Sequence, residues 1–167
     1  SPAMFFQTPR LLVRRFEEDD LDAFIAYRND GRWMRYQGFK GLDKAAYRKA
    51  LLGPRAVEDG LQLAIVRRED GALLGDLYCK REGDVLWLGY TVAPACARRG
   101  YAVEAARGAL AWARAEGFRA VRAGALPDNV PSVRLLQKLG FRFTGREADE
   151  DVYELPLPGP GGVTGPD

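Results

Sequence analysis

Three apolar runs, Leu61–Arg67, Ala72–Lys80 and Val85–Val92, are joined only by short turns centred on Asp70-Gly71 and Glu82-Gly83-Asp84. An Asp-Gly pair between such runs is a hairpin signal. Turns this short cannot bring a chain back for a parallel partner, which needs a crossover of about a dozen residues or more. The runs are therefore expected to lie antiparallel. After Val92 the spacing turns helical. Ala102, Ala106, Leu110 and Ala113 form one stripe, Gly117 closes it, and Phe118–Ala125 reads as another strand. A strand, helix, strand sequence places 118–125 parallel to 85–92. Meander plus crossover specifies a mixed-sheet α/β domain.

The flanks extend this pattern. Arg10–Phe16 reads as a strand, and Glu17 to Asp20 open a helix with Leu21, Phe24 and Ile25 inward. Asn29-Asp30-Gly31 ends that helix, and Trp33, Met34, Tyr36 and Phe39 occupy an irregular connection. Asp43 caps a second helix with Tyr47, Ala50 and Leu51 on one face and Gly53 after it. Asp128 or Asn129 caps a last helix carrying Val133, Leu136 and Leu139, with Gly140 beyond it. Phe141–Arg146 and Asp151–Leu157 read as a closing strand pair. The order is β-α-α-β-β-β-α-β-α-β-β: a mostly antiparallel sheet with helices on both faces. One domain is expected over 4–157, and Ser1 to Ala3 read as an expression scar. Residues 158–167, rich in Gly and Pro, are expected to be disordered.

Composition narrows the chemistry. The chain has no histidine, which removes Ser-His-Asp and Cys-His catalysis and the commonest zinc ligand. No metal is expected. Net charge is +2, from 25 basic and 23 acidic residues, so a nucleic-acid adaptor using Arg98, Arg99, Arg114, Arg119 and Arg122 is disfavoured. No apolar run approaches the roughly 20 residues of a membrane span. Two cysteines, Cys79 and Cys96, make no disulfide framework, and a cytoplasmic location is the default. A monomer or a homodimer is expected.

Two stretches carry function. In CARRGYAVEA (Cys96–Ala105), Ala97, Arg98, Arg99, Gly100, Tyr101 and Ala102 form the turn between a strand and a helix. The first N–H groups of a helix lack partners and favour an anion, and Gly100 lets backbone approach closely. An anion site and an ordinary loop with solvated arginines are both open readings. The glycines of a Walker loop or a dinucleotide fingerprint are missing. In LPDNVPSVRLLQKLGF (Leu126–Phe141), Asn129 and Ser132 sit at the mouth of the next helix, at the same carboxyl edge of the sheet. Each taken singly reads as a cap or first-turn residue.

Together, R-R-G-Y-A-x-E-A (Arg98–Ala105) and N-x-x-S-x-x-L-x-x-K-L-G-F (Asn129–Phe141) resemble the GCN5-related N-acetyltransferases, most of all the subgroup of bacterial ribosomal-protein N-terminal acetyltransferases. T-P-R-L-L-V-R-R-F and L-G-Y-T-V-A-P fit too, so the resemblance spans about residues 7–156. It implies acetyl-CoA as co-substrate, with its pyrophosphate on the 97–102 loop and its pantetheine arm beside Tyr90, Thr91 and Val92, where the parallel strands splay. Gly89 would be a bulge that opens the gap. Asn129 would hydrogen-bond the arm, and Ser132 would protonate the leaving thiolate. A backbone N–H near Val92 would hold the oxyanion.

The sequence departs from the family at two points. Ala97 stands where Gln or Arg is usual, which leaves grip on the pyrophosphate to backbone N–H groups. Trp87 stands where relatives carry an acidic base, so Asp84 and Asp76 are the nearest substitutes and Asp84 is taken as the base. Glu104 is expected to favour its helix start or to pair with Arg107. The acceptor, a small-molecule or peptide amine, is expected against Arg28, Trp33 and Tyr36 and the stretch from Glu147 to Asp151, with core packing the open alternative for the two aromatics. A non-catalytic CoA-binding module of the same fold is the alternative.

Overall fold

The computed structural model describes residues 4–159. An eight-stranded sheet in the order β1-β2-β3-β4-β5-β6-β8-β7 carries helices on both faces. The strands are β1 (Met4–Gln7), β2 (Leu11–Arg15), β3 (Leu61–Arg67), β4 (Leu73–Glu82), β5 (Val85–Val92), β6 (Ala120–Ala125), β7 (Arg142–Glu147) and β8 (Glu150–Pro156). The helices are α1 (Leu21–Arg28), α2 (Lys44–Leu52), α3 (Tyr101–Ala115) and α4 (Val130–Lys138). All neighbours pair antiparallel except β5 and β6, which are parallel across the α3 crossover. The expected strands and helices are thus present. β1 is an addition: four residues at the sheet edge, too short for any alternation to announce it. Of the tail expected to be disordered, residues 160–167 lie outside the described residues, as do Ser1 to Ala3. Among the described residues, no helix is long and apolar enough to cross a membrane.

Register decides what each face of the sheet presents. Ala64 and Asp76, Gln62 and Tyr78, Asp76 and Thr91, and Tyr78 and Gly89 oppose one another, so all share a face. Leu63, Ile65, Leu77, Cys79 and Leu88 point the other way. There they pack with Tyr101, Ala105, Ala109 and Ala113 of α3 and Leu136 of α4. The alanine stripe lets α3 lie close on the strands. On the first face, Ala64 and Val66 pack with Phe24 and Tyr27 of α1 and Tyr47 and Leu51 of α2. Phe24 meets Phe16, Tyr27 and Tyr47 edge-on at 5.2, 5.3 and 5.2 Å between centroids, the geometry that aromatic quadrupoles favour.

That first face is apolar only near α1 and α2. Further along β3, β4 and β5 it carries Gln62, Asp76, Tyr78, Trp87 and Thr91, a polar stripe that the helices do not seal. Beside it, β5 and β6 pair only at Val85–Ala120, Leu86–Val121 and Trp87–Arg122. From Leu88 onward the strands diverge, while β6 continues along β8 to Ala125. The expected splay is present, but the expected bulge is not. β4 and β5 run in unbroken register through Gly89, which simply faces Tyr78.

Candidate active site

The splay opens two cavities that share Gln37, Tyr90 and Thr91. One, of about 650 Å³, runs from the segment Arg32–Gln37 past Tyr90–Val92 to the turn before α3 and the mouth of α4. The other, of about 480 Å³, lies over the polar stripe of β3, β4 and β5. A neck of about 60 Å³ touches Gln37, Tyr90, Ser132 and Glu150.

The larger cavity gathers most residues singled out in the sequence. Tyr90, Thr91, Val92, Ala97, Arg98, Gly100, Tyr101, Ala102, Asn129 and Ser132 line it, and Arg99 lies between two of them on the loop. Arg98 and Gly100 both take left-handed backbone, with φ of 63° and 78°. This coil leaves the N–H groups of residues 98–103 without an acceptor among the described residues. Gly100 is the N-cap of α3 and supplies no side-chain cap. Adjacent unpaired N–H groups at a helix start form an anion cradle.

A clamp from the β1–β2 connection holds that loop. Arg10 Nη1 donates 3.0 Å to the Arg99 carbonyl, and its Nε donates 2.6 Å to Glu104. The Arg10 guanidinium also lies 4.5 Å over the Tyr101 ring. Glu104 further accepts from Thr8 Oγ1 at 2.5 Å and the Arg10 N–H at 2.8 Å. Burial raises the Glu104 pKa, but these donors outweigh it and leave the carboxyl below its usual value. Glu104 therefore reaches across the sheet rather than along its own helix to Arg107. No local pattern marked Arg10, because the contact joins residues 94 apart.

At the mouth of α4, Asn129 Oδ1 caps the Ser132 N–H at 3.4 Å. The Ser132 hydroxyl lies 3.2 Å from the Tyr90 phenol. Burial pushes the Tyr90 pKa up, so the phenol stays protonated. Trp33 and Tyr36, expected at the acceptor, line this cavity instead. Cys96 lines it as well.

The second cavity has a buried ionic floor. Asp76 is 1% exposed and Arg28 2%. Asp76 accepts from Gln62 Nε2 at 2.6 Å, from Arg28 Nη2 and from the Tyr27 phenol. Burial first, then the Asp76 charge, push the Tyr27 pKa well up and keep it a donor. Arg28 Nε has no hydrogen-bond partner, and the guanidinium lies among the rings of Phe24, Tyr27 and Phe39 at 5.1 to 5.7 Å. Arg28 thus lines the floor of the cavity as the buried ion-pair partner of Asp76. Both Asp76 oxygens thus accept hydrogen bonds from protein groups at the floor of the cavity.

Asp84 is corrected as the base. It sits at the β4–β5 turn, at the opposite end of β5 from Thr91, where Arg119 Nε binds it at 3.1 Å, and it lines neither cavity. The carboxylate that does reach the site is Glu150, at the start of β8. It lines the second cavity and the neck, and no hydrogen bond to its side chain occurs among the described residues. Burial, with Asp149 beside it, raises its pKa. The sequence marked the stretch 147–151 without separating its acids. Packing separates them: Gly124 of β6 pairs with Val152, and its missing side chain leaves room for the Glu150 carboxylate, which a Cβ there would meet at 2.8 Å. Asp151 is taken by Arg146 at 3.0 Å.

Residues 10–142 match the family model described as "Acetyltransferase (GNAT) domain". A Bacillus subtilis protein described as an uncharacterized N-acetyltransferase, YnaD, is 29% identical over 145 residues, 85% of each chain. The fold resembles the GNAT-family acetyltransferase from Bacillus anthracis, with a TM-score of 0.78, 23% identity and coverage of 93% of this chain and 98% of that one. It also resembles spermidine N-acetyltransferase from Vibrio cholerae, solved with CoA and spermine, with a TM-score of 0.74, 15% identity and coverage of 90% and 97%.

Proposed function

The chain belongs to the GNAT acetyltransferase family, and from that premise we propose that it moves an acetyl group from acetyl-CoA to a primary amine by direct attack in a ternary complex. The observation that carries this reading is the meeting of two cavities at Tyr90 and Thr91, with an uncommitted carboxylate on one side and a hydroxyl pair on the other.

The larger cavity suits acetyl-CoA. The N–H groups of residues 98–103 hold the pyrophosphate, with Arg98 and Arg99 at the rim. The open edge of β5 from Tyr90 to Val92 takes the pantetheine amides, which places the thioester near Ser132. The V. cholerae relative was solved with CoA. The amine enters from the second cavity and must be neutral to attack. Glu150 takes its proton, directly or through one water, and its raised pKa brings it closer to the working pH of a base. A β5 N–H near Val92 holds the developing oxyanion. The N–C bond forms as the C–S bond breaks. The Ser132 hydroxyl, oriented by Tyr90, gives a proton to the sulfur, and solvent restores it while removing the one on Glu150. No step uses a metal. Both cysteines are free thiols, which suits a reducing cytoplasm.

Incubation of the protein with acetyl-CoA and a panel of amines, followed by thiol release and product mass, tests the reading. Acetylated amine and one thiol per turnover are expected. Tight acetyl-CoA binding without turnover on any amine would leave the non-catalytic CoA-binding module in its place.

A further inference from the structure

Four charged residues line the second cavity: Arg28, Arg55, Asp76 and Glu150. Two of them cancel. Asp76 is bound to Arg28 and also accepts from Tyr27 and Gln62. A second ammonium group would meet there a carboxylate that is 1% exposed and already neutralised by Arg28. This leaves one carboxylate, Glu150, for the reacting amine, and one cation, Arg55.

Arg55 follows α2, after Gly53 and Pro54, and is exposed. Its guanidinium makes a single weak hydrogen bond, 3.4 Å from Nη1 to the Gly60 carbonyl. No carboxylate pairs with it among the described residues. The rest of its fork of N–H donors is free, and such a fork matches a carboxylate. The other walls of the cavity are uncharged: Phe39, Leu51, Tyr78 and Trp87 with Gln37 and Gln62. The cavity thus presents one uncommitted anion and one uncommitted cation among otherwise uncharged walls.

Resting on the acetyl-transfer reading, we propose that the acceptor is an amine that also carries a carboxylate, and that Arg55 is the specificity-determining residue that binds this carboxylate while the amine faces Glu150. A polyamine lacks the group that Arg55 needs, and its further cations would meet Arg55 instead of a carboxylate. The required chemistry comes either from a free α-amino acid or from a peptide N-terminus with an acidic side chain close behind it.

Matched acceptor pairs test this: phenylalanine against phenylalaninamide, a short amidated peptide with Asp at its second position against the same peptide with Asn, and spermidine. The carboxylate member is expected to lead its pair by about fivefold to tenfold in kcat/KM, through KM, the range for a charge-assisted contact that is partly solvated. The pair showing the larger gap identifies the source. Arg55→Ala is expected to bring the ratio to about one, Arg55→Lys to keep most of it, and Arg55→Glu to turn the preference toward spermidine. Equal rates within both pairs, a preference for spermidine, or an Arg55→Ala protein that keeps the ratio would overturn the assignment and leave acetyl transfer standing. No transfer to any of these amines, with acetyl-CoA bound, would overturn both.

Discussion

The indole Nε1 of Trp33 donates to the Val92 carbonyl across 2.8 Å, so a half-exposed tryptophan from the α1–α2 connection is tethered to the open edge of β5. The proposed function puts the pantetheine amides at that edge. The indole therefore holds an acceptor that the incoming arm wants. Trp33→Phe keeps the ring and removes the donor. It is expected to tighten acetyl-CoA binding by about 0.5–1.5 kcal/mol, the net value of one such bond, or about twofold to tenfold in Kd. Calorimetric titration measures it. Weaker binding in the variant would mean that the tether helps to build the bound state.

As the proposed base, Glu150 would act only when ionised. Its pKa lies above the ordinary 4.5, through burial first and Asp149 second. Activity is then lost as pH falls through that raised value, so the acid limb of kcat/KM is expected above pH 4.5. Glu150→Gln is expected to lower kcat by about 10²-fold or more and to abolish the limb. Asp149→Asn removes the neighbouring charge and is expected to move the limb toward acid. A limb that stays in place in Glu150→Gln would assign the proton to another group.

Gly100 holds a φ of 78°, and a Cβ there would meet only Arg10 Nη2, at 3.4 Å. Asn adopts this left-handed region more readily than most residues. Gly100→Asn is therefore expected to fold and to bind acetyl-CoA somewhat less well. Gly100→Asp has nearly the same shape but adds a negative charge among N–H groups meant for phosphate. It is expected to fold, by circular dichroism, and to lose acetyl-CoA binding. Equal binding by the two variants would place the pyrophosphate elsewhere.

Local signals in the sequence sufficed for what local chemistry decides. Asp70-Gly71 and Glu82-Gly83-Asp84 set the β3–β4–β5 meander, the alanine stripe set α3, and Gly100 and Asn129 marked two helix mouths that the parallel β5–β6 pair brings together. What escaped depends on contacts between distant residues. Asp84 looked available as a base because its partner, Arg119, is 35 residues away. Arg28 was marked as a pocket wall, and it does line the second cavity, but the packing of α1 on the sheet also pairs it with Asp76, 48 residues on, which no local pattern announces. Glu150 could not be told from Glu147, Asp149 and Asp151 until β8 was set beside Gly124. Trp33 and Tyr36 were expected at the acceptor and line the other cavity instead, because the side of the splay they occupy follows from the path of an irregular segment, which has no period to read.

Asp76 gives a case in which stability and catalysis part. Asp76→Asn keeps the shape and removes the charge that Arg28, 2% exposed, relies on. An arginine left uncompensated in a low-dielectric interior is costly, and breaking one partner of a buried pair is expected to destabilise the fold by about 3–5 kcal/mol. Thermal unfolding reads this directly. Tyr27→Phe removes one neutral donor and leaves the ion pair, so about 1 kcal/mol is expected. If Asp76 were instead the base, Asp76→Asn would unfold near the wild-type temperature and lose its turnover. A large drop in unfolding temperature, with the Glu150-dependent acid limb kept in whatever protein remains folded, is the outcome that the buried network requires.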